Sequence, residues 1–358
     1  MAAHRKLFIP GPTEVAPEVL AELSRPMIGH RFPECSELIA SIVPKVQEML
    51  YTENMIFLAT CSGTGLMEAA VRNCVRESCV SFINGAFSKR FYQIATSNGK
   101  QAIPVEIPLG HGFNADLVDQ ALSQHNKVDA VTLVHNETSN AAMSDIYGIA
   151  AMMKEKYPDV SLLVDMVSSM AGVKLEIDRL GVDVALASGQ KALALPPGIG
   201  VAAISPRAME KAATVENRGF YFDFFNVQKG YAKNQTHITP TIPHLFAMKK
   251  QMELIIEEGL ENRWKRHLEM AERVRGWAEE HFSIFTQEGY RSNTLTCVEN
   301  TRDVNISDLN KKLAERNMVI SNGYGELKDK TFRIAHMGEL TMSDMDEVLG
   351  AIDDILGF

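Results

Sequence analysis

The sequence predicts an α/β protein with a large domain, its mostly parallel sheet flanked by helices, and a smaller C-terminal α+β domain. Three observations predict it. Short apolar runs alternate with helical patterns from residue 55 to 205. Those runs are apolar throughout, as strands covered on both faces are. After residue 240 the order changes to a long helical stretch followed by strands and helices in a new sequence. At 358 residues the chain is too long for one small core. The parts are placed at 1–15 for an N-terminal arm, 16–255 for the large domain and 256–358 for the small domain.

In chain order, "MIFLAT" (55–60) reads as a strand and "TGLMEAAVRN" (64–73) as the helix after it, a pair repeated by "CVSFIN" (79–84) and "KRFYQIATSNG" (89–99). Further strands are expected at 102–108, 128–135, 161–167, 182–188 and 199–205, with helices near 114–124 and 147–157. A helical stretch at 242–282 is interrupted only near Gly259. A strand at 294–299, a helix at 307–317, the strands "MVISN" and "TFRIAHM", and a helix at 342–356 follow.

Acidic residues outnumber basic ones, 45 against 36, and no basic run occurs. That argues against nucleic acid or an anionic membrane as a partner. Five cysteines (Cys35, Cys61, Cys74, Cys79, Cys297) show no C-x-x-C spacing. Neither a disulfide framework nor a metal site is supported, and a reducing cytosol is expected. The start "MAAHRKLFIPGPTEV" has too short an apolar run for a signal peptide. No stretch approaches the ~20 apolar residues of a membrane span.

In parallel sheets ligands sit beyond the carboxyl ends of the strands, so the residues just after each run carry the chemistry. Ser62, Gly63 and Thr64 lie between a strand and a helix, where free amides and the helix dipole suit a phosphate. The same residues also serve as ordinary helix caps. Asp165 ends a wholly apolar strand, where an ionised carboxylate needs a cation. Lys191, in "LASGQKALALPPGIG", follows one strand later at a separation of 26 residues. Read singly, Asp165 is a turn residue and Lys191 a surface lysine. Together with the phosphate-shaped turn they match what pyridoxal 5'-phosphate requires: a lysine for its aldehyde, a carboxylate for its pyridine nitrogen, and a phosphate site.

The chain resembles the class V aminotransferases of the pyridoxal-phosphate type I fold, in particular the alanine–glyoxylate and serine–pyruvate aminotransferase group. The motifs that carry the resemblance run over nearly the whole length: "PGPTEVAPEVL", "RPMIGHRFPE", "SGTGLMEAAV", "HNETSN", "VDMVSSMAG", "SGQKALALPPG", "NQTHITPTIP", "GLENRWKRH" and "FRIAHMG". The resemblance implies that Lys191 bonds the cofactor aldehyde, that Asp165 pairs with the ring nitrogen, and that Ser62, Gly63, Thr64 and Gln190 hold the phosphate. Phe87 takes the place of the aromatic stacked on the ring, often Trp or Tyr in the family, with Val167 on the opposite face. Thr138 or Ser139 would bond near the cofactor's phenolic oxygen or the substrate. Gln235, Thr236 and Thr239 match a segment that reaches the neighbouring subunit's phosphate site, which implies a homodimer with shared active sites. Arg333 and Gly11 would meet the substrate, Arg333 through its α-carboxylate.

The expected activity is transfer of an amino group from serine or alanine to a 2-oxo acid such as glyoxylate or pyruvate. Arg31 departs from the pattern of the group. It suits either a side-chain anion, which would favour phosphoserine or aspartate as donor, or a subunit-interface salt bridge. A lyase of the cysteine desulfurase type needs a mobile cysteine and a histidine over the ring, where this chain has Phe87. A non-catalytic scaffold has no reason to keep Lys191, Asp165 and Arg333 together.

Overall fold

The structure, a computed structural model, describes residues 4–125 and 127–358. Seven strands form the large sheet, in the spatial order Met55–Ala59, Gly200–Ile204, Val184–Ser188, Ser161–Asp165, Ala130–Val134, Ser78–Ile83 and Gln101–Glu106. Neighbours are parallel except around Gly200–Ile204, which runs antiparallel to both strands beside it.

Successive side chains of a strand point to opposite faces, so each apolar run feeds two cores. Ile56, Leu58, Val80, Phe82, Val131 and Leu133 face one layer. Phe57, Ala59, Cys79, Ala130, Leu163 and Leu186 face the other. Helices Pro33–Leu50, Ala115–Leu122, Ile146–Lys156 and Ile242–Glu258 cover the first face, and Gly63–Cys74, Ala86–Ser97, Pro206–Ala213 and Phe224–Tyr231 the second. Burial on both faces is why the strands read as unbroken apolar runs. The edge strand Gln101–Glu106 has no fully buried residue and accommodates Pro104, which an inner strand would not.

A second sheet has the order Lys6–Phe8, Met318–Asn322, Thr331–Ala335, Leu295–Glu299, Ser283–Ile284. Its first strand pairs in parallel with Met318–Ile320, so the expected N-terminal arm contributes a strand to the C-terminal sheet. Helices Leu260–His281, Ile306–Glu315 and Met342–Leu356 pack on it around Trp277 and Phe332. Gly259, at φ +84°, separates Ile242–Glu258 from Leu260–His281 where the sequence places an interruption. Helix Pro33–Leu50 is absent from the sequence reading, because its interior Pro44 breaks a pattern that is otherwise helical. No helix among the described residues is long and apolar enough to cross a membrane.

Candidate active site

The carboxyl ends of the large sheet open into a cleft of about 400 Å³. Ser62, Gly63 and Thr64 reach it from the first strand, Asp165 and Val167 from the strand Ser161–Asp165, and Gln190 and Lys191 from the strand Val184–Ser188. Gly11 from the N-terminal segment, Phe87 and Thr138 complete the expected residues present there.

Lys191 is 9% exposed, and its Nζ donates to the carbonyl of Pro10. Burial pushes its pKa from 10.5 down to about 8; the Arg333 charge lowers it further, while Asp165 and Glu137 oppose the fall. At neutral pH a lysine of that pKa keeps roughly a tenth of its amine unprotonated, against a few parts in ten thousand for a free one. The apolar wall thus makes the amine available. Asp165, 3% exposed, moves the other way, to about 7, driven by burial and reinforced by Glu137; its bond from Val167 N (2.6 Å) and the Lys191 and Arg90 charges restrain the rise. Taken out of water, this carboxylate is a strong acceptor for a cationic partner.

Gly11 has φ +118°, and a Cβ there would lie 2.8 Å from Lys191 Cδ and 2.9 Å from Gln190 O. The lysine stem therefore needs a glycine beside it. At the other end of the cleft, helix Gly63–Cys74 starts from Ser62 without a side-chain cap, leaving its first N–H groups and the Ser62 hydroxyl for a ligand. A Cβ on Gly63 would meet Val167 Cγ2 at 2.6 Å. Ser188 Oγ, a hydroxyl able to donate, is buried at the same place without a hydrogen-bond partner, and Gln190 lines the cleft beside it with an amide NH2 to offer. Orphaned polar atoms cost stability unless something binds them. This donor set, with the buried amine and carboxylate, fits pyridoxal 5'-phosphate: phosphate at Ser62–Thr64, Ser188 and Gln190, aldehyde at Lys191, ring nitrogen at Asp165.

The Phe87 ring stands 5.9 Å from Lys191 Nζ and 5.6 Å from the Tyr324 ring. Arg333, 7% exposed, donates from Nε (3.2 Å) and Nη2 (3.0 Å) to the carbonyl of Asn322 and from Nη1 (3.1 Å) to that of Thr138. Among the described residues no carboxylate forms an ion pair with it, so its donors meet only carbonyl oxygens. Of the two residues left open in "HNETSN", Thr138 lines the cleft, its Oγ1 2.5 Å from Ser168 Oγ, whereas Ser139 is off the lining and its Oγ donates to Glu137 (2.7 Å) and accepts from Ala86 N (3.1 Å).

Besides Ser139, Arg333 is not among the residues lining the cleft and meets it through its bond to the Thr138 carbonyl, and four further expected residues stand apart from the cleft within one chain. Gln235 and Thr236 line a separate hollow against helix Pro33–Leu50, Thr239 is exposed beyond them, and Arg31 donates to the carbonyls of Thr236 and His237. Arg90 and Glu137 were not singled out in the sequence. Arg90 lines the cleft, donates to Thr64 Oγ1 (3.3 Å) and lies 4.9 Å from the Phe87 ring centre. One helical turn after Phe87 in "NGAFSKR", its spacing was the available signal. Cys297 is buried in the strand Leu295–Glu299 with its thiol pushed up to about 11, which disfavours the thiolate a desulfurase needs.

The family profile described as aminotransferase class-V matches residues 92–327. An uncharacterized aminotransferase of Methanocaldococcus jannaschii is 34% identical over 94% of this chain and 89% of its own length. The L-aspartate–glyoxylate aminotransferase of Paracoccus denitrificans is 31% identical over 95% of this chain and 88% of its own. Among solved structures, an alanine–glyoxylate aminotransferase of Nostoc sp. superimposes with a TM-score of 0.93 at 29% identity, covering 99% of this chain and 96% of that one. With the cleft described above, these likenesses show that the chain belongs to the class V aminotransferases, the pyridoxal-phosphate-dependent transaminases.

Proposed function

We propose that the enzyme moves the amino group of a small amino acid, serine or alanine, onto a 2-oxo acid such as glyoxylate or pyruvate. The observation that carries this reading is Arg333: a buried guanidinium bonded only to carbonyl oxygens, one of them that of Thr138, which lines the cleft. A planar fork of donors suits the carboxylate that every amino and 2-oxo acid carries. A cleft of about 400 Å³ that takes cofactor and substrate together favours a small side chain. The alanine–glyoxylate neighbour agrees with it.

Pyridoxal 5'-phosphate supplies the electron sink and carries the amino group between the two half-reactions. With the cofactor bound, Lys191 Nζ would be the group that takes the proton from the substrate α-carbon and later gives it back, as base and then acid. Asp165 would hold the ring-nitrogen proton, Arg333 the α-carboxylate, and Phe87 and Val167 the faces of the ring. Ping-pong kinetics follow from carrying the amino group on the enzyme.

A second reading is transamination of aspartate or phosphoserine. Arg90 favours it, since among the described residues no carboxylate pairs with this cation inside the cleft. The aspartate–glyoxylate relative agrees. The test is to add L-serine, L-alanine, L-aspartate and O-phospho-L-serine in turn to the loaded enzyme and follow the absorption band and the 2-oxo acid formed. Conversion by serine or alanine supports the first reading; conversion only by aspartate or phosphoserine replaces it with the second.

The dimer belongs to the same proposal. Arg31 donates to the carbonyls of Thr236 and His237, and Met27, Phe32 and Phe220 carry exposed apolar side chains. Exposed apolar side chains of this size are suited to burial against a second copy, which would bring Gln235, Thr236 and Thr239 to the neighbour's phosphate site. All five cysteines are unpaired, in keeping with a reducing cytosol.

A further inference from the structure

Glu137 is fully buried, and among the described residues no cation forms an ion pair with it. Its charge is shared among donors from two segments instead. Oε2 accepts from Ser88 N at 2.9 Å and Phe87 N at 3.1 Å, with the Ser88 hydroxyl 3.0 Å away. Oε1 accepts from Ser139 N at 3.1 Å and Ser139 Oγ at 2.7 Å. Ser139 Oγ in turn accepts from Ala86 N at 3.1 Å.

These bonds account for the first three N–H groups of helix Ala86–Ser97. The helix has Gly85 at its N-cap, which has no side chain to offer. A cap must come from elsewhere in the fold, and a carboxylate at the positive end of a helix is favoured. The fit is close: a Cβ on Gly85 would lie 2.4 Å from Glu137 Cγ and 2.6 Å from Ser139 Oγ. Glu137 itself sits in a rigid place, on the short hairpin that pairs Asn136–Glu137 with Ala142–Met143. Asn136 anchors that hairpin by donating to Ser168 O (3.0 Å) and Thr294 Oγ1 (2.8 Å), and Asn140 by donating to Asn84 O (2.6 Å).

We propose that Glu137 is a positioning residue for Phe87. It clamps the backbone of Phe87 and Ser88 from the adjoining strand end, and so fixes the ring that stands 5.9 Å from the Lys191 amine. Near Phe87 in the sequence, the Ser88 hydroxyl accepts from Asn84 N (3.0 Å) and Gly85 N (3.0 Å), while the Phe87 and Ser88 amides are left to Glu137. The inference rests on the reading of Phe87 as the face against the cofactor, and the experiment separates the two.

Kinetics of the loaded enzyme are compared for Glu137→Gln, Phe87→Leu and the double variant, together with the visible circular dichroism of the bound cofactor. Glutamine keeps the size but presents one oxygen and one NH2, so one of the two donor groups loses its acceptor. Glu137→Gln is expected to lower kcat about ten- to hundredfold, as a misplacement near 1 Å does, with little change in KM for the amino acid and a weakened dichroism band. The double variant is expected to be no slower than Phe87→Leu alone, because the clamp acts through the ring. Losses that multiply, or a Glu137→Gln enzyme with the wild-type kcat and dichroism, overturn the inference. A Phe87→Leu enzyme that matches the wild type overturns the reading of Phe87 itself. If Glu137→Gln does not fold, Ser139→Ala, which removes one arm of the network and keeps the carboxylate, should show the same signature; unchanged dichroism there overturns the inference.

Discussion

Replacing Lys191 with methionine should make the cofactor-free protein more stable near neutral pH and leave it no more stable at strongly alkaline pH. Burial lowers the folded-state pKa of Lys191 from 10.5 to about 8. Below pH 8 both folded and unfolded chains hold the proton, and the folded chain bears the full cost of a buried ammonium. Between pH 8 and 10.5 the unfolded chain still holds a proton that the folded chain has released, so stability rises with pH across this window. At ~1.4 kcal/mol per pH unit, the cost relieved is about 3 kcal/mol. Methionine fills much the same volume without charge. Urea unfolding of both apoproteins at a series of pH values reads the difference directly. The advantage of Lys191→Met should shrink steadily from pH 8 and vanish near pH 10.5. A difference that stays constant, or widens with pH, refutes the claim that the cleft holds this lysine at the expense of its charge.

Gly63→Ala should weaken cofactor binding in a titration of the apoprotein and cost about 1–3 kcal/mol in unfolding, because the new methyl would lie 2.6 Å from Val167 Cγ2. Arg333→Lys should raise KM for the amino donor about ten- to hundredfold in steady-state assays, since an ammonium cannot replace a bidentate charged bond. Asp183→Asn, far from the cleft, should cost about 3 kcal/mol in urea unfolding. Asp183 is fully buried and accepts from Arg207 Nε (2.7 Å), Leu162 N (2.8 Å) and Ser205 Oγ (3.0 Å), while activity below the unfolding transition should persist.

The parts of the fold legible in the sequence were those in which one local pattern decides the outcome. Strands buried on both faces leave apolar runs, and Gly259 marks a break between two helices that otherwise continue the same pattern. Helix Pro33–Leu50 was hidden by its interior proline, and strand Lys6–Phe8 by its length, since three residues paired with Met318–Ile320 carry no period. The cleft was legible for the same reason as the strands, because ligand residues follow directly on strand ends: Ser62, Asp165 and Lys191 all do. Glu137 also follows a strand end, but its work is done on an amide 50 residues earlier, a relation without a sequence signal. The choice between Thr138 and Ser139 as cleft residue likewise depends on which hydroxyl the Glu137 network occupies.

The central claim is that Lys191 carries the cofactor. Borohydride reduction of the loaded enzyme fixes pyridoxal phosphate to whichever amine it is bonded to, and mass spectrometry of the digest then locates it. The account predicts the added mass on the peptide containing Lys191 and its loss in Lys191→Ala. Cofactor mass on a different lysine, or on none, contradicts it.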